Sequence, residues 1–165
     1  MLSQVHSIAT LLHSNKQLDG HRILGRIHRS KGETEKTIHH FEVALGIASS
    51  FSWHHALFWV HYDLAQVFLD KGRFDDAHTH IEHAKSHTID SAYNLGLAMK
   101  LRAAVWYRQR RLEDARSEAL RAADVFEKLG VTRGLERSRG ILRDIEKELN
   151  TPVASGQSAL NCELL

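Results

Sequence analysis

Proline is almost missing from this chain: Pro152 is the only one in 165 residues, and it lies beyond the last periodic segment. Nothing before it therefore forces a helix to break, which points to an all-α protein. Cysteine is equally scarce. Cys162 stands alone, which excludes an internal disulfide and suits a reducing, cytoplasmic compartment. No apolar run approaches the roughly 20 residues of a membrane span. The N-terminus, MLSQVHSIATLLHSNKQ, has no basic residue ahead of its short apolar stretch, which argues against a secretory signal. A net charge of +2 is too small to imply nucleic-acid binding by itself. The sequence has no GxxxxGK[ST], no GxSxG, no HExxH and no Cys/His zinc spacing.

What the chain does have is helical periodicity. Its hydrophobic content of 42% suits one domain with a continuous core. The plainest stretch is Leu64–Ala84, LAQVFLDKGRFDDAHTHIEHA. Leu64, Ala65 and Phe68 share one helical face, and Phe74, Ala77, Ile81 and Ala84 share another, with a tight turn at Lys71–Gly72. Gly72 suits a backbone conformation that side chains resist, and Asp75 and Asp76 complement the dipole of the following helix. The pattern recurs 40 residues earlier at Leu24, Gly25, His28, Gly32, Phe41 and Ala44. It recurs 38 residues later at Ala103, Trp106, Leu112, Ala115 and Ala122.

A helix pair repeated in this way resembles the tetratricopeptide repeat (TPR). The longer period is similar to the repeats of kinesin light chains and of fungal proteins of the NB-ARC and NACHT type. The resemblance implies a right-handed α-α superhelix, a solenoid of about eight antiparallel helices. The helical repeat domain is expected over residues 1–149, with repeats at about 17–51, 54–88 and 90–130, a capping helix at 132–149 and a disordered tail at 150–165.

Within that frame, Leu2, Val5, Ile8, Leu11 and Leu12 predict a short helix that fades near Ser14–Asn15. A new helix then begins at Gln17. Ser52 is expected to cap the helix carrying Trp53, Phe58, Trp59 and Tyr62, and Asp90 or Ser91 the helix carrying Tyr93 and Leu97. Gly130 is expected to end the helix from Leu112. Two positions depart from the repeat. Thr37 fills the slot of Ala77 and Ala115, and Arg102 fills that of Leu24 and Leu64.

No residue set predicts catalysis. Asp75–Asp76, Glu113–Asp114 and Glu33/Glu35 recur at the starts of second helices, where carboxylates complement the dipole rather than form acid–base pairs. The thirteen histidines all precede Ile89. His80, His83 and His87 share one stripe, a spacing that can chelate a metal, yet His40 repeats the His80 slot and the stripe reads as helix packing. Neither a metal nor another cofactor is expected. Cys162 in Cys-Glu-Leu-Leu has the spacing of a prenylation box, but it lacks the polybasic run or second cysteine that stable anchoring needs.

The resemblance implies that first helices line a concave groove that takes a partner peptide or helix. Its register puts Arg22, Arg26 and Arg29 in that groove with Trp59, Tyr62, Gln66, Lys100, Tyr107 and Arg108. The slots of a chaperone-type carboxylate clamp hold Arg22, Arg26, Asp63, Leu97 and Leu101, with too few cations for that role. The expectation is a non-catalytic protein-interaction module. Its partner is a protein or peptide, with an acidic segment favoured by the arginine row, and neither a nucleic acid nor a membrane. The alternative is a self-associating structural fragment of a larger repeat protein, a homo-oligomer packed through the first helix with Trp53, Phe58 and Trp59.

Overall fold

A computed structural model describes the backbone of residues 2–88 and 91–150, and side chains from residue 10 onward. Seven α-helices make up the described residues: α1 (Leu2–Ser30), α2 (Thr34–Ser50), α3 (His54–Asp70), α4 (Phe74–Ser86), α5 (Ala92–Arg108), α6 (Leu112–Lys128) and α7 (Thr132–Leu149). No strand occurs among them. No helix among them is long and apolar enough to cross a membrane. Asp90, Pro152, Cys162 and most of the expected tail lie outside the described residues, as do the side chains of Leu2, Val5 and Ile8.

The turns set the architecture. Five of the six helix connections have three residues with a middle residue of positive φ, Gly32, Ser52, Gly72, Arg110 and Gly130, while residues 87–91 join α4 to α5. At the first turn, Gly32 N–H donates to Arg29 O and Glu33 N–H to His28 O, both at 3.0 Å. Those two bonds satisfy carbonyls the helix end would otherwise leave open. The same pair recurs at Ser52 and Trp53, at Gly72 and Arg73, at Arg110 and Arg111, and at Gly130 and Val131. The residue after the left-handed one is already the N-cap of the next helix. Thus Ser52 is the turn residue and Trp53 the N-cap, which makes no side-chain capping bond. The expected serine cap is corrected there because the turn geometry claims Ser52 first. At Ser91 the hydroxyl does accept from Asn94 N–H, at 3.2 Å.

The expected break near Ser14–Asn15 is also absent, so the first two expected helices are one and the described helices number seven. Ser14 to Gln17 contain neither proline nor a left-handed residue. Short polar side chains weaken a helix interior without ending it.

Each helix packs against its sequence neighbours, and the odd-numbered helices also touch one another in series, α1 to α3 to α5 to α7. No even-numbered pair makes such contact. The core runs continuously through Leu18, Phe41, Phe58, Leu64, Ile81, Leu97 and Phe126. Ala65, Ala77 and Ala84 are fully buried, as the repeat pattern requires of close approaches. Thr37 is buried in its alanine slot and donates its hydroxyl to Glu33 O at 2.8 Å. Arg102 fills its leucine slot as an ion-pair hub, bound to Glu82 at 2.8 Å and to buried Glu118. Its guanidinium also lies 5.0 Å from the Trp106 ring centre.

Two glycines set how closely helices approach. A Cβ on Gly25 would lie 2.5 Å from the Phe41 ring, and one on Gly134 would lie 2.5 Å from Phe126. Both rings are fully buried and have no room to move aside. Gly46, on the outside of α2, faces open space. Gly25→Ala is expected to cost about 1–3 kcal/mol through overpacking. Gly46→Ala is expected to add about 0.5–1 kcal/mol from backbone entropy. Urea denaturation of both variants checks this, and a neutral Gly25→Ala would refute the close approach.

Candidate functional site

The face shared by α1, α3, α5 and α7 carries the residues the sequence marks for binding. Arginines at 22, 26 and 29 project along one side of α1, as steps of three and four require. They do not stand free. Asp63 of α3 is only 3% exposed. Its carboxylate accepts from Arg22 Nη2 at 3.1 Å and from Arg26 Nη2 at 3.0 Å. Arg29 Nε donates to Asp70 at 2.8 Å, and its Nη1 to Gln66 Oε1 at 2.9 Å. The row therefore forms an ionic seam that clamps α1 to α3, with Gln66 inside it.

Trp59 and Tyr62 follow one turn apart on α3, both half-buried. Trp59 Nε1 donates to His55 at 3.1 Å, its ring meets Phe58 and Tyr62 edge to face, and the Arg22 guanidinium lies 5.8 Å from it. Burial, then the Asp63 carboxylate, pushes the Tyr62 phenol up to about 12. The tyrosine is thus a neutral hydroxyl at any ordinary pH. Tyr107 is held elsewhere, donating to Glu148 of α7 at 2.6 Å, and Arg110 pairs with the same carboxylate. Arg108 is exposed. Lys100 is half-buried on α5, and burial, then Arg137 and Arg133, push its amine down to about 8.

The expected residues thus fall into two groups. Arg22, Arg26, Arg29, Gln66, Trp59 and Tyr62 come together at the α1–α3 seam. Lys100 belongs to the α5–α7 seam, Tyr107 joins α5 to Glu148, and Arg108 lies outside on α5. Sequence reasoning passed over Asp63 as a partner, although a carboxylate between Tyr62 and Leu64 on a largely apolar helix requires a cation nearby. It also assigned no role to Arg133 and Arg137 within the expected capping helix at 132–149.

The histidines pair across the first two repeats. His21 and His40 bring their Nδ1 atoms to 3.0 Å, and His61 and His80, each 40 residues on, to 2.9 Å. His54 and His87 add a third pair at 3.1 Å. In each, one ring donates its Nδ1–H and the other accepts at a bare Nδ1. His61 also stacks on His83 and His87. Burial, then the neighbouring imidazoles His80, His83 and His87, pushes His61 down to about 3. Burial likewise lowers His80, with His83 adding to it. Among the described residues, no group of three or more His, Cys, Asp or Glu is arranged to hold a metal ion.

The chain matches no family model, no curated protein and no solved structure at a significant level.

The seam and the histidine pairs each make a prediction. Asp63→Asn leaves two guanidinium groups against a neutral amide. The variant is expected to lose about 2–4 kcal/mol, toward the low end for a broken buried pair because Arg26 is half exposed. Denaturant titration checks it, and a loss below about 0.5 kcal/mol would place the seam among ordinary surface pairs. His61 is held neutral in the folded chain, while an unfolded imidazole charges near its ordinary 6.5. The folded state is therefore at full strength above about pH 6.5 and weakens as pH falls toward 3. Between pH 7 and pH 4 wild type is expected to lose on the order of 2–4 kcal/mol more than His61→Leu. Equal losses in the two proteins would refute the buried neutral imidazole.

Proposed function

We propose that the chain is a non-catalytic protein-interaction module that binds a partner peptide or helix along its odd-helix face. The contact pattern carries this reading. Odd helices touch in series and even ones do not, which bends the stack toward the odd side. That side is then the concave face of a right-handed superhelix of the TPR kind, as the repeated helix pairs suggest. The half-buried Trp59 and Tyr62 offer it a flat apolar surface with fixed ring positions. Aromatic anchors of this sort dominate many interfaces. The ionic seam beside them has a different part. Arg22 and Arg26 hold α1 against α3, so within this reading they position the aromatic floor rather than reach for the partner. The single cysteine fits a cytoplasmic location.

One observation favours self-association as a second reading. Leu12, Ile23, Leu24 and Ile27 are exposed on α1, whereas Leu64, the counterpart of Leu24, is 1% exposed. The uncovered side of α1 can accept another helix. Phe58 cannot take part in such an interface, being fully buried in the chain's own core.

Partners captured from native extract supply the test. Trp59→Ala is expected to weaken binding to them by at least tenfold, about 1.4 kcal/mol, while Ile23→Glu leaves it unchanged. Light scattering at two concentrations tests the second reading, which requires mass to rise with concentration in wild type and not in Ile23→Glu. Unchanged affinity in Trp59→Ala, with a normal melt, would sink the first.

A further inference from the structure

Lys100 stands 38 residues after Tyr62, and Tyr62 stands 40 after Arg22, so the three occupy one repeat position. Arg22 has its charge balanced by Asp63 of the next odd helix. Carried forward by the repeat, the position of Asp63 becomes Leu101 and then Ile141 on α7. The carboxylate that would answer Lys100 is therefore an apolar residue, half-buried against Ala103, Ala119 and Leu142. On α7, Arg137 stands one turn before Ile141, the slot that Trp59 holds beside Arg22 on α3, and Arg133 stands one turn further back. Helices α5 and α7 are in contact, and both arginines disfavour the Lys100 charge. Arg137 also acts on the Tyr62 phenol of α3.

Three cations thus gather where α5 meets α7, and none has a carboxylate or hydrogen-bond acceptor among the described residues. Arg133 and Arg137 are exposed, Lys100 is half-buried, and the amine still carries its proton at pH 7. Self-repulsion at this place has no internal compensation, in contrast to α1–α3, where each arginine meets a carboxylate. The two arginines add donors in fixed forks that suit carboxylate oxygens.

We propose that Lys100, Arg133 and Arg137 form an anion-binding site that receives the carboxylates of an acidic partner segment, beside Tyr62 on the odd-helix face. This rests on the groove reading given above and moves its acidic end from the arginine row of α1 to the α5–α7 seam. Charge complementarity selects the occupant: a run of glutamates or aspartates brings several acceptors to donors that lack them. A peptide lying past Tyr62 could set an apolar side chain against Trp59 and its carboxylates against Lys100.

The test uses the full chain and two fluorescein-labelled peptides, a run of glutamates ending in leucine and its glutamine counterpart, read by anisotropy. Wild type is expected to prefer the glutamate peptide by at least about tenfold. That preference should weaken with added salt. Arg133→Gln combined with Arg137→Gln should abolish it without lowering the melting temperature, since neither arginine has a bond to lose and their repulsion of Lys100 is relieved. Lys100→Met should abolish it too and raise the melting temperature, because an unpaired half-buried cation is removed. Preference retained in these variants and lost in Trp59→Ala would overturn the site and leave the groove. Wild type failing to bind either peptide would overturn both. Binding confined to a phosphoserine counterpart, or displacement by an oligonucleotide below the concentration of glutamate peptide that displaces, would overturn the assignment to carboxylates.

Discussion

The left-handed turn residue governs this protein. At residues 32, 52 and 72, and again at 110 and 130, one positive φ reverses the chain. The same two hydrogen bonds close each of those helix ends, and the next helix begins at once. With only three residues between the helices at these five turns, the chain has little freedom to choose its neighbour. Helices must alternate sides, and every second one joins the same face. Two of the five turn residues, Ser52 and Arg110, carry side chains where glycine fits best. Each stores roughly 1–2 kcal/mol of local strain, which the packing around it must offset.

Once alternation is fixed, charge decides how the odd helices meet. Between α1 and α3 a buried carboxylate takes two guanidinium groups, and both of its oxygens are engaged. Between α5 and α7 the corresponding acid is gone and a lysine faces two arginines. One face thus holds a seam of paired charges and a seam of unpaired ones. The first contributes stability and position. The second is electrostatically unfinished, which is the property a charged partner can exploit.

Local pattern was easy to read from the sequence, and distant pairing was not. The apolar faces of Leu64–Ala84, the buried alanines and the turn at Gly72 all follow from spacings of three and four. Ser52 was misjudged because a serine before a helix resembles a cap, whereas the backbone had already claimed it for the turn. The break near Ser14 was expected from weak helix formers, but weak formers seldom stop a helix without a left-handed residue. The arginine row was located correctly on one side of α1. Its commitment to Asp63 spans 41 and 37 residues, a distance at which periodicity carries no information. Arg133 and Arg137 escaped for the same reason: their charge matters only because Lys100 lies opposite on another helix.

The glycine at position 25 has a consequence for how such a chain can change over generations. Gly25 is matched to Phe41, and at the same positions one repeat on stand Ala65 and Ile81, then Ala103 and Ala119. The first helix carries glycine where the second carries Phe41, and alanine where the second carries Ile81 or Ala119, and all of these residues are buried. The backbone repeats, but the fit at Gly25 is private to its own pair. Placing the first helix of either later repeat opposite Phe41 would drive a methyl group into its ring. This first helix pair could therefore be duplicated or recombined only as a whole, and the unit of inheritance there is the matched couple rather than the single helix.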